Sequence, residues 1–161
     1  MKILFICTHN RCRSILGEAI TNHIAQGKLQ AVSAGSQPAG QVHPLSLRYL
    51  EERGIPNDGL KSQSWDEFEA FEPDIVFTVC DSAAQEQCPV WFGKTIKVHW
   101  GLPDPSRLEG SEDQIKAAFF RVMDTIETRI KKLMALDYEN MDTAALTQAL
   151  VEIAEQDHGT V

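Results

Sequence analysis

A cysteine and an arginine enclose five residues in the segment CTHNRCRS, residues 7–14. Because this segment leads directly into a predicted helix, its backbone N–H groups can surround a tetrahedral oxyanion at the helix N-terminus. Arg13 can hold two oxygens of such an anion through its planar guanidinium. The helix dipole and the neighbouring positive charges would also lower the pKa of Cys7 from its free value of ~8.5. The spacing therefore predicts a phosphate-like ligand facing a thiolate nucleophile.

The other side chains of this segment have less distinct roles. Ser14 is placed to donate a hydroxyl hydrogen bond to the thiolate, and Asn10 is placed to brace the loop from within. Arg11 either adds positive potential or faces solvent. We favour a packing role for Cys12, with a protective bridge to Cys7 under oxidation as the alternative. The predicted oxyanion-binding residues are Thr8, His9, Asn10, Arg11, Cys12, Arg13 and Ser14.

The elements that must position these residues follow from the hydrophobic pattern. Short apolar runs without alternation are typical of strands buried on both faces, and here they alternate with helical patterns. Such alternation implies a parallel sheet with right-handed crossovers, in which ligands bind beyond the carboxyl ends of the strands. The predicted strands are KILFI (2–6), QAVSAG (30–35), PDIVFTVC (73–80) and KTIKVHW (94–100), and the predicted helices cover about 13–27, 44–54, 111–136 and 142–155.

Three chemically useful residues fall where predicted strands end. Cys7 follows the first strand, Cys80 ends the third, and Asp104 lies in the loop GLPDPSRLEG after the fourth. The parallel arrangement brings these strand ends to one edge of the sheet. We therefore predict a single α/β domain over residues 1–161, with an extra C-terminal helix at about 142–155 and a reactive site at this edge.

Composition narrows the functional classes. The chain has 161 residues, of which 43% are hydrophobic, and this suits one domain with a continuous core. A formal net charge of −8 disfavours nucleic-acid or anionic-membrane partners. The apolar run at the start is too short for a signal or a membrane span, so we expect a cytoplasmic protein. Four cysteines are too few for the disulfide framework of a secreted protein. The sequence contains no C-x2-C pair, so it does not indicate a zinc site.

The segment CTHNRCRS resembles the C-x5-R-[ST] loop of the low-molecular-weight protein tyrosine phosphatase superfamily, with Asp104 of LPDPS as the acidic partner. Two further segments, DIVFTVCDSAAQEQCPVWFG and HWGLPDP, are similar to the thioredoxin-coupled arsenate reductases of that superfamily. The phosphatases carry adjacent tyrosines after the Asp-Pro pair, whereas this chain has DPSRLEG. His9 and Arg11 also stand where relatives usually have small residues. The resemblance implies a three-layer α/β sandwich with a four-stranded parallel sheet and arsenate reductase activity.

The resemblance further implies a relay of three cysteines. Cys7 would attack arsenate, with Asp104 helping to protonate a departing oxygen. Cys80 would then attack the Cys7 sulfur, releasing arsenite, and Cys88 would attack Cys80. The final disulfide would be reduced by thioredoxin or, less favoured, by glutaredoxin with glutathione. The alternative is that Cys80 is a buried strand-end residue and Cys88 an incidental loop thiol.

A cation site is also implied, although no tightly bound cofactor is expected. The positions Asn10, Glu18, Ser33 and Asp66 resemble those that bind potassium in some arsenate reductases, and oxygen ligands suit a hard cation. Capping and helix-surface roles are the alternative for these residues. We expect His43 and His99 to be structural.

Two other functions stay open at this point. A phosphatase acting on phosphotyrosine or a small phosphoester would need Cys7, Arg13 and Asp104 but neither later cysteine. A protein that binds or senses an oxyanion or arsenite would use the cysteines as ligands. In the arsenate reductase, phosphate or sulfate would act as an analogue of arsenate.

Overall fold

In the computed structural model, residues 1–85 and 95–156 are described, and four parallel strands form their sheet. The strands are β1 (Lys2–Ile6), β2 (Gln30–Ala34), β3 (Ile75–Thr78) and β4 (Ile96–His99), in the spatial order β2-β1-β3-β4. Phe5 in β1 pairs with Ser33 on one side and with Phe77 on the other. The four predicted strands and their parallel direction are confirmed.

The central strand β1 shows that both faces of the sheet are covered. Successive side chains of a strand point to opposite faces, yet Ile3, Leu4, Phe5 and Ile6 are each at most 1% exposed. A strand buried in this way needs packing partners above and below, and for that reason it reads as an unbroken apolar run. The predicted three-layer α/β architecture is therefore confirmed.

The four predicted helices lie close to their predicted positions. The first helix ends earlier than predicted, because Gln26 and Gly27 take left-handed backbone angles, with φ of 46° and 94°. The 3₁₀ helix at Trp65–Phe71 and the short helix α3 were not predicted, because such short elements show no clear hydrophobic periodicity. The helices are α1 (Arg13–Ala25), α2 (Pro44–Glu52), α3 (Asp81–Gln85), α4 (Glu112–Met134) and α5 (Thr143–Gln156), with further 3₁₀ turns at Pro105–Arg107 and Tyr138–Asn140.

The longest helix, α4, is amphipathic and packs against α1. It begins with the predicted cap: the Ser111 hydroxyl accepts the backbone N–H of Gln114, and the Gln114 side chain accepts the N–H of Ser111. Its inner face buries Phe119, Ile126 and other apolar residues at helical spacing. Over residues 1–85 and 95–156, no helix is both long enough and apolar enough to cross a membrane.

The predicted C-terminal helix exists as α5, and it covers part of the sheet. Leu146, Leu150 and Ile153 share one helical face and are buried. The indole Nε1 of Trp100, just after β4, donates to the carbonyl of Leu150 at 2.9 Å. Trp100 in turn stacks on Phe77 of β3, with ring centroids 3.7 Å apart. The helix therefore belongs to the hydrophobic core.

Candidate active site

The loop after β1 closes on itself over the start of α1. Asn10, which is fully buried, has a left-handed φ of 46°, a conformation that asparagine tolerates better than most residues. Its N–H donates to the Cys7 carbonyl at 3.2 Å and its Nδ2 donates to Ser14 Oγ at 2.8 Å. Its Oδ1 accepts the backbone N–H of Gln63 at 2.8 Å. Asn10 therefore braces the loop from within, as predicted.

The start of α1 supplies backbone donors to this loop. The first hydrogen bond of the helix runs from the Leu16 N–H to the Cys12 carbonyl at 2.9 Å. The N–H groups of Arg13, Ser14 and Ile15 come before it and so have no partner within the helix. A helix start of this kind attracts anions, because its free N–H groups and its dipole both favour negative charge. The local backbone can thus form the predicted oxyanion cradle.

The end of β2 supports the loop from the side. Cys7 donates its N–H to the Ala34 carbonyl at 3.2 Å, and Gln37 donates to the Thr8 carbonyl at 2.9 Å. Gly35 lies between these contacts, and a Cβ atom there would come within 2.4 Å of the Thr8 carbonyl oxygen. Only glycine permits so close an approach of two backbone segments. The shape of the loop therefore depends on the glycine that ends QAVSAG.

Arg13 connects this loop with the loop after β4. Its Nη1 donates to the Leu102 carbonyl at 3.0 Å, and its Nη2 lies 3.6 Å from Asp104 Oδ2. Its Nε is buried and has no hydrogen-bond partner among the described residues. A buried donor without a partner is costly, and an oxyanion oxygen would satisfy it. The guanidinium is therefore fixed in place and still has a donor for a ligand.

Asp104 is held by its own turn of the chain. Its Oδ1 accepts the backbone N–H of Ser106 at 3.0 Å and the Ser106 hydroxyl at 2.6 Å. Its Oδ2 faces Arg13 and also lies 3.4 Å from the Nε of Arg107. Sequence reasoning missed Ser106 and Arg107 as partners, although an aspartate two residues before a serine is a common capping pattern.

A cavity of about 120 Å³ opens above Cys7. Three arginines and one aspartate contribute to its wall, so the local charge is positive although the chain is acidic. Of the predicted oxyanion-binding residues, four line it, whereas Thr8, Asn10 and Ser14 are buried in the loop. The lining residues are Cys7, His9, Arg11, Cys12, Arg13, His43, Asp104, Ser106 and Arg107.

The structure brings Cys80 to Cys7, as the strand positions predicted. Both are buried free thiols, and Cys80 is the group with the largest effect on the pKa of Cys7. Cys80 Sγ also accepts the backbone N–H of Thr8 at 3.4 Å, and Ser82 Oγ lies 3.5 Å from it. A second thiol therefore lies beside the nucleophile without any rearrangement of the chain.

This contact reverses one expectation about the nucleophile. The interaction with Cys80 raises the pKa of Cys7, burial raises it further, and the lowering effect of Arg13 is smaller. The interaction with Cys7 lowers the pKa of Cys80, assisted by Ser82 and by the N–H of Thr8. The prediction that the helix dipole and the neighbouring positive charges leave Cys7 with a lowered pKa is wrong for this arrangement. Of the two thiols, Cys80 is the one whose ionised form is favoured.

Cys12 is the third buried cysteine of the described residues. It is 3% exposed, and burial raises the pKa of its thiol to about 11. A buried thiol of this kind behaves as a small apolar side chain. These properties favour the packing role that we expected for Cys12.

Residues 2–148 match the family model described as low molecular weight phosphotyrosine protein phosphatase. The chain belongs to this family. An arsenate reductase of Halalkalibacterium halodurans is 35% identical over 129 residues, which are 80% of this chain and 91% of that one. A glutaredoxin arsenate reductase of Synechocystis is 29% identical, over 83% of this chain and 96% of that one. A solved thioredoxin-dependent arsenate reductase of Corynebacterium glutamicum has a TM-score of 0.63 at 28% identity, covering 83% and 59% of the two chains.

The residues predicted to hold a cation in this family member are only partly brought together. Ser33 Oγ donates to Glu18 Oε1 at 2.7 Å, and burial raises the pKa of Glu18. Asn10 uses its side-chain oxygen for Gln63, and Asp66 is exposed in the 3₁₀ turn after Ser64. Across the described part of the chain, no three His, Cys, Asp or Glu residues form a group that could hold a metal ion. Cys88 lies outside the described residues.

Proposed function

We propose that this chain is an arsenate reductase that uses Cys7 as the nucleophile and Cys80 as the second thiol. The observation that carries the proposal is the position of Cys80: this buried free thiol accepts the backbone N–H of Thr8, the residue after Cys7 in a phosphatase-type anion loop. Phosphoester hydrolysis needs one thiol, whereas reduction of arsenate needs two electrons and therefore a pair of thiols. The similarity to relatives named arsenate reductases supports the same choice.

The first step is attack of Cys7 Sγ on arsenate bound in the cavity. The N–H groups at the start of α1 and the free Nε of Arg13 would hold the equatorial oxygens. A sulfur–arsenic bond forms and one arsenic–oxygen bond breaks. The thiol proton, passed by way of Asp104, leaves with that oxygen as water. Arsenic is still pentavalent in the resulting adduct.

The second step is attack of Cys80 Sγ on Cys7 Sγ. A sulfur–sulfur bond forms while the sulfur–arsenic bond breaks, and its electron pair stays on arsenic. Arsenic is thereby reduced to arsenite and the two cysteines are oxidised to a disulfide. The pKa of Cys80 is lowered, which favours the thiolate form required for this attack.

The relay is completed in our proposal by Cys88, which would attack Cys80 and free Cys7. We favour thioredoxin as the final reductant, because two local thiols that can close on each other present a disulfide to an external dithiol. One relative is named for glutaredoxin and one solved structure for thioredoxin. The electron donor of this chain is therefore to be determined by experiment.

Arsenate-dependent NADPH oxidation with each purified donor system tests the function. The wild type should turn over with the thioredoxin system, and Cys80→Ala should not. Cys12→Ala is the matched control, because it removes a buried thiol from the same loop and should turn over. Cys88→Ser should allow one arsenite per chain without repeated turnover. If Cys80→Ala reduced arsenate at the wild-type rate, the proposal would be overturned.

The same variants separate the alternatives. A phosphatase would hydrolyse an aryl phosphate rapidly and would be indifferent to Cys80→Ala. An arsenite-binding sensor would bind arsenite but release none from arsenate in a single-turnover assay. We expect slow aryl phosphate hydrolysis that depends on Cys7 and survives in Cys80→Ala.

We also infer a potassium site formed by Glu18 and Ser33, with Asn10 as a further oxygen donor. The half-buried carboxylate and the hydroxyl 2.7 Å from it are ligands that suit a hard cation. A bound cation would stabilise the ionised form of Glu18. Asp66 contributes only if its exposed side chain turns inward.

A further inference from the structure

We propose that His43 is a substrate-binding residue, whose Nε2–H donates a hydrogen bond to an oxygen of the bound arsenate. The sequence predicts a structural role for His43, and His43 does cap a helix. It also lines the cavity above Cys7, which allows it to contact a ligand. The identity of the anion rests on the proposed function, whereas binding of a tetrahedral oxyanion does not.

The backbone of His43 is tied to the anion loop. Its N–H donates to the carbonyl of Arg11 at 2.9 Å, and the Ser46 hydroxyl approaches the same carbonyl at 3.5 Å. His43 is the cap residue of α2, and Pro44 is the first residue of that helix. The position of the imidazole relative to the loop is thereby fixed at its base.

The cap hydrogen bond determines which ring nitrogen carries the proton. The backbone N–H of Leu45 donates to His43 Nδ1 at 3.1 Å, so this nitrogen is an acceptor. A neutral imidazole with an accepting Nδ1 carries its hydrogen on Nε2. The capping geometry therefore leaves Nε2–H as the donor that the ring can offer to a ligand.

The ring lies between the core and the cavity. It is half-buried, its centroid is 6.5 Å from that of Phe119, and it lines the cavity together with Cys7, Arg13 and Asp104. An oxyanion above Cys7 would face Arg13 on one side and this imidazole on another. Burial and the charge of Arg11 lower the pKa of His43, while Asp104 opposes them less strongly. The ring thus offers a neutral donor at neutral pH.

The choice of residue at this position is informative. Asparagine, aspartate and serine are the usual helix caps, and histidine is not among the preferred ones. An aspartate would place a negative charge beside an anion site. An asparagine would cap α2 equally well but would offer the cavity no imidazole. Comparing histidine with asparagine therefore isolates the ligand contact from the cap.

The test uses His43→Asn, His43→Ala and, as a control, His23→Asn, which removes an exposed histidine of α1. Inorganic phosphate is the probe, measured by calorimetry, with thermal unfolding measured in parallel. Loss of one neutral hydrogen bond should weaken phosphate binding by about 3–10-fold in both His43 variants. The Tm should fall in His43→Ala but stay near that of the wild type in His43→Asn. The arsenate KM should rise by a similar factor, with a smaller change in kcat.

Wild-type phosphate affinity in His43→Asn would overturn the proposal. Nitrogen-15 NMR of the wild-type imidazole gives a second test that needs no variant. The expected result is an accepting Nδ1 and a protonated Nε2 whose proton shifts when phosphate is added; a ring indifferent to phosphate would overturn the proposal. Loss of phosphate affinity in a protein that does not reduce arsenate would support His43 and refute only the proposed function.

Discussion

Arg13 Nη2 lies 3.6 Å from Asp104 Oδ2, so the loop that carries the nucleophile and the loop that carries the acid are joined by one ion pair. The same guanidinium donates to the Leu102 carbonyl at 3.0 Å. These contacts orient the group through its terminal nitrogens, each of which carries two N–H donors. The buried Nε has no hydrogen-bond partner among the described residues. Arg13 therefore supports Asp104 and, in our proposal, also clamps the anion.

Arg13→Lys should impair both roles. A lysine ammonium is a single point charge and cannot reproduce the planar set of donors that meets Leu102, Asp104 and an anion together. Loss of charge-assisted hydrogen bonds at a partly buried site should weaken phosphate binding and lower kcat/KM for arsenate by about 10–100-fold. Arg121→Lys, an exposed substitution on α4, is the control and should change neither quantity. Equal effects of the two substitutions would contradict the clamp.

Asp104→Asn should separate binding from proton transfer. Asparagine can still accept the Ser106 hydrogen bonds at its oxygen, but it cannot deliver a proton to the departing oxygen. Formation of the arsenic adduct in a single turnover should slow by about 10²–10⁴-fold. Phosphate affinity should be unchanged or higher, because a negative charge leaves the cavity wall. Adduct formation at the wild-type rate would show that another group supplies the proton.

Cys80→Ala should lower the pKa of Cys7. The interaction with Cys80 is the largest cause that raises this pKa, and its loss leaves burial opposed by the lowering influences of Arg13 and the His9 backbone. The rate of alkylation of Cys7, followed by mass spectrometry against pH, should therefore show its inflection at lower pH in the variant. Cys12→Ala should leave the inflection where it is. An inflection at higher pH in Cys80→Ala would show that Cys80 assists ionisation of Cys7.

The sequence predicted where the site lies better than it predicted which of its thiols is ionised. Apolar runs such as KILFI identify strands, and the rule for parallel sheets then places Cys7, Cys80 and Asp104 at one edge. The interaction between the two thiols depends on side-chain packing between segments far apart in the chain, which no local pattern encodes. The cavity contact of His43 is tertiary for the same reason, whereas its cap role is local. The cap that Asp104 forms on Ser106 is a local feature, since an aspartate before a proline is a common helix start.

Glu18→Gln should stabilise the protein at neutral pH. Burial raises the pKa of Glu18 above its unfolded value, so its contribution to stability is fully present below about pH 4.3 and is lost as pH rises through the raised folded pKa. A glutamine cannot ionise, so the variant does not lose this stability as the pH rises. The Tm of the variant in potassium-free buffer should exceed that of the wild type near pH 7.5, and the difference should shrink towards pH 4.

The matched control for Glu18 is the exposed Glu109→Gln, which should show no such pH-dependent gain. Potassium chloride should raise the Tm of the wild type more than sodium chloride does, because the proposed cation would offset the buried charge. The variant should show no preference between the two salts. A wild type with no preference would contradict the potassium site, and a Glu18→Gln variant less stable at neutral pH would contradict the assigned cost of the buried carboxylate.

Leu150→Ala should reveal how much α5 contributes to the fold. Leu150 is fully buried, and its carbonyl accepts the indole N–H of Trp100, which itself stacks on Phe77. Truncating a buried leucine typically costs about 2–5 kcal/mol, which corresponds to a fall in Tm of roughly 4–20 °C for a domain of this size. Gln148→Ala, on the exposed side of the same helix, should shift Tm by little, since exposed substitutions change stability by about 0.5 kcal/mol or less. Thermal unfolding followed by circular dichroism measures both. If the two variants unfolded at the same temperature, α5 would be a peripheral extension and the sheet would be stable without it.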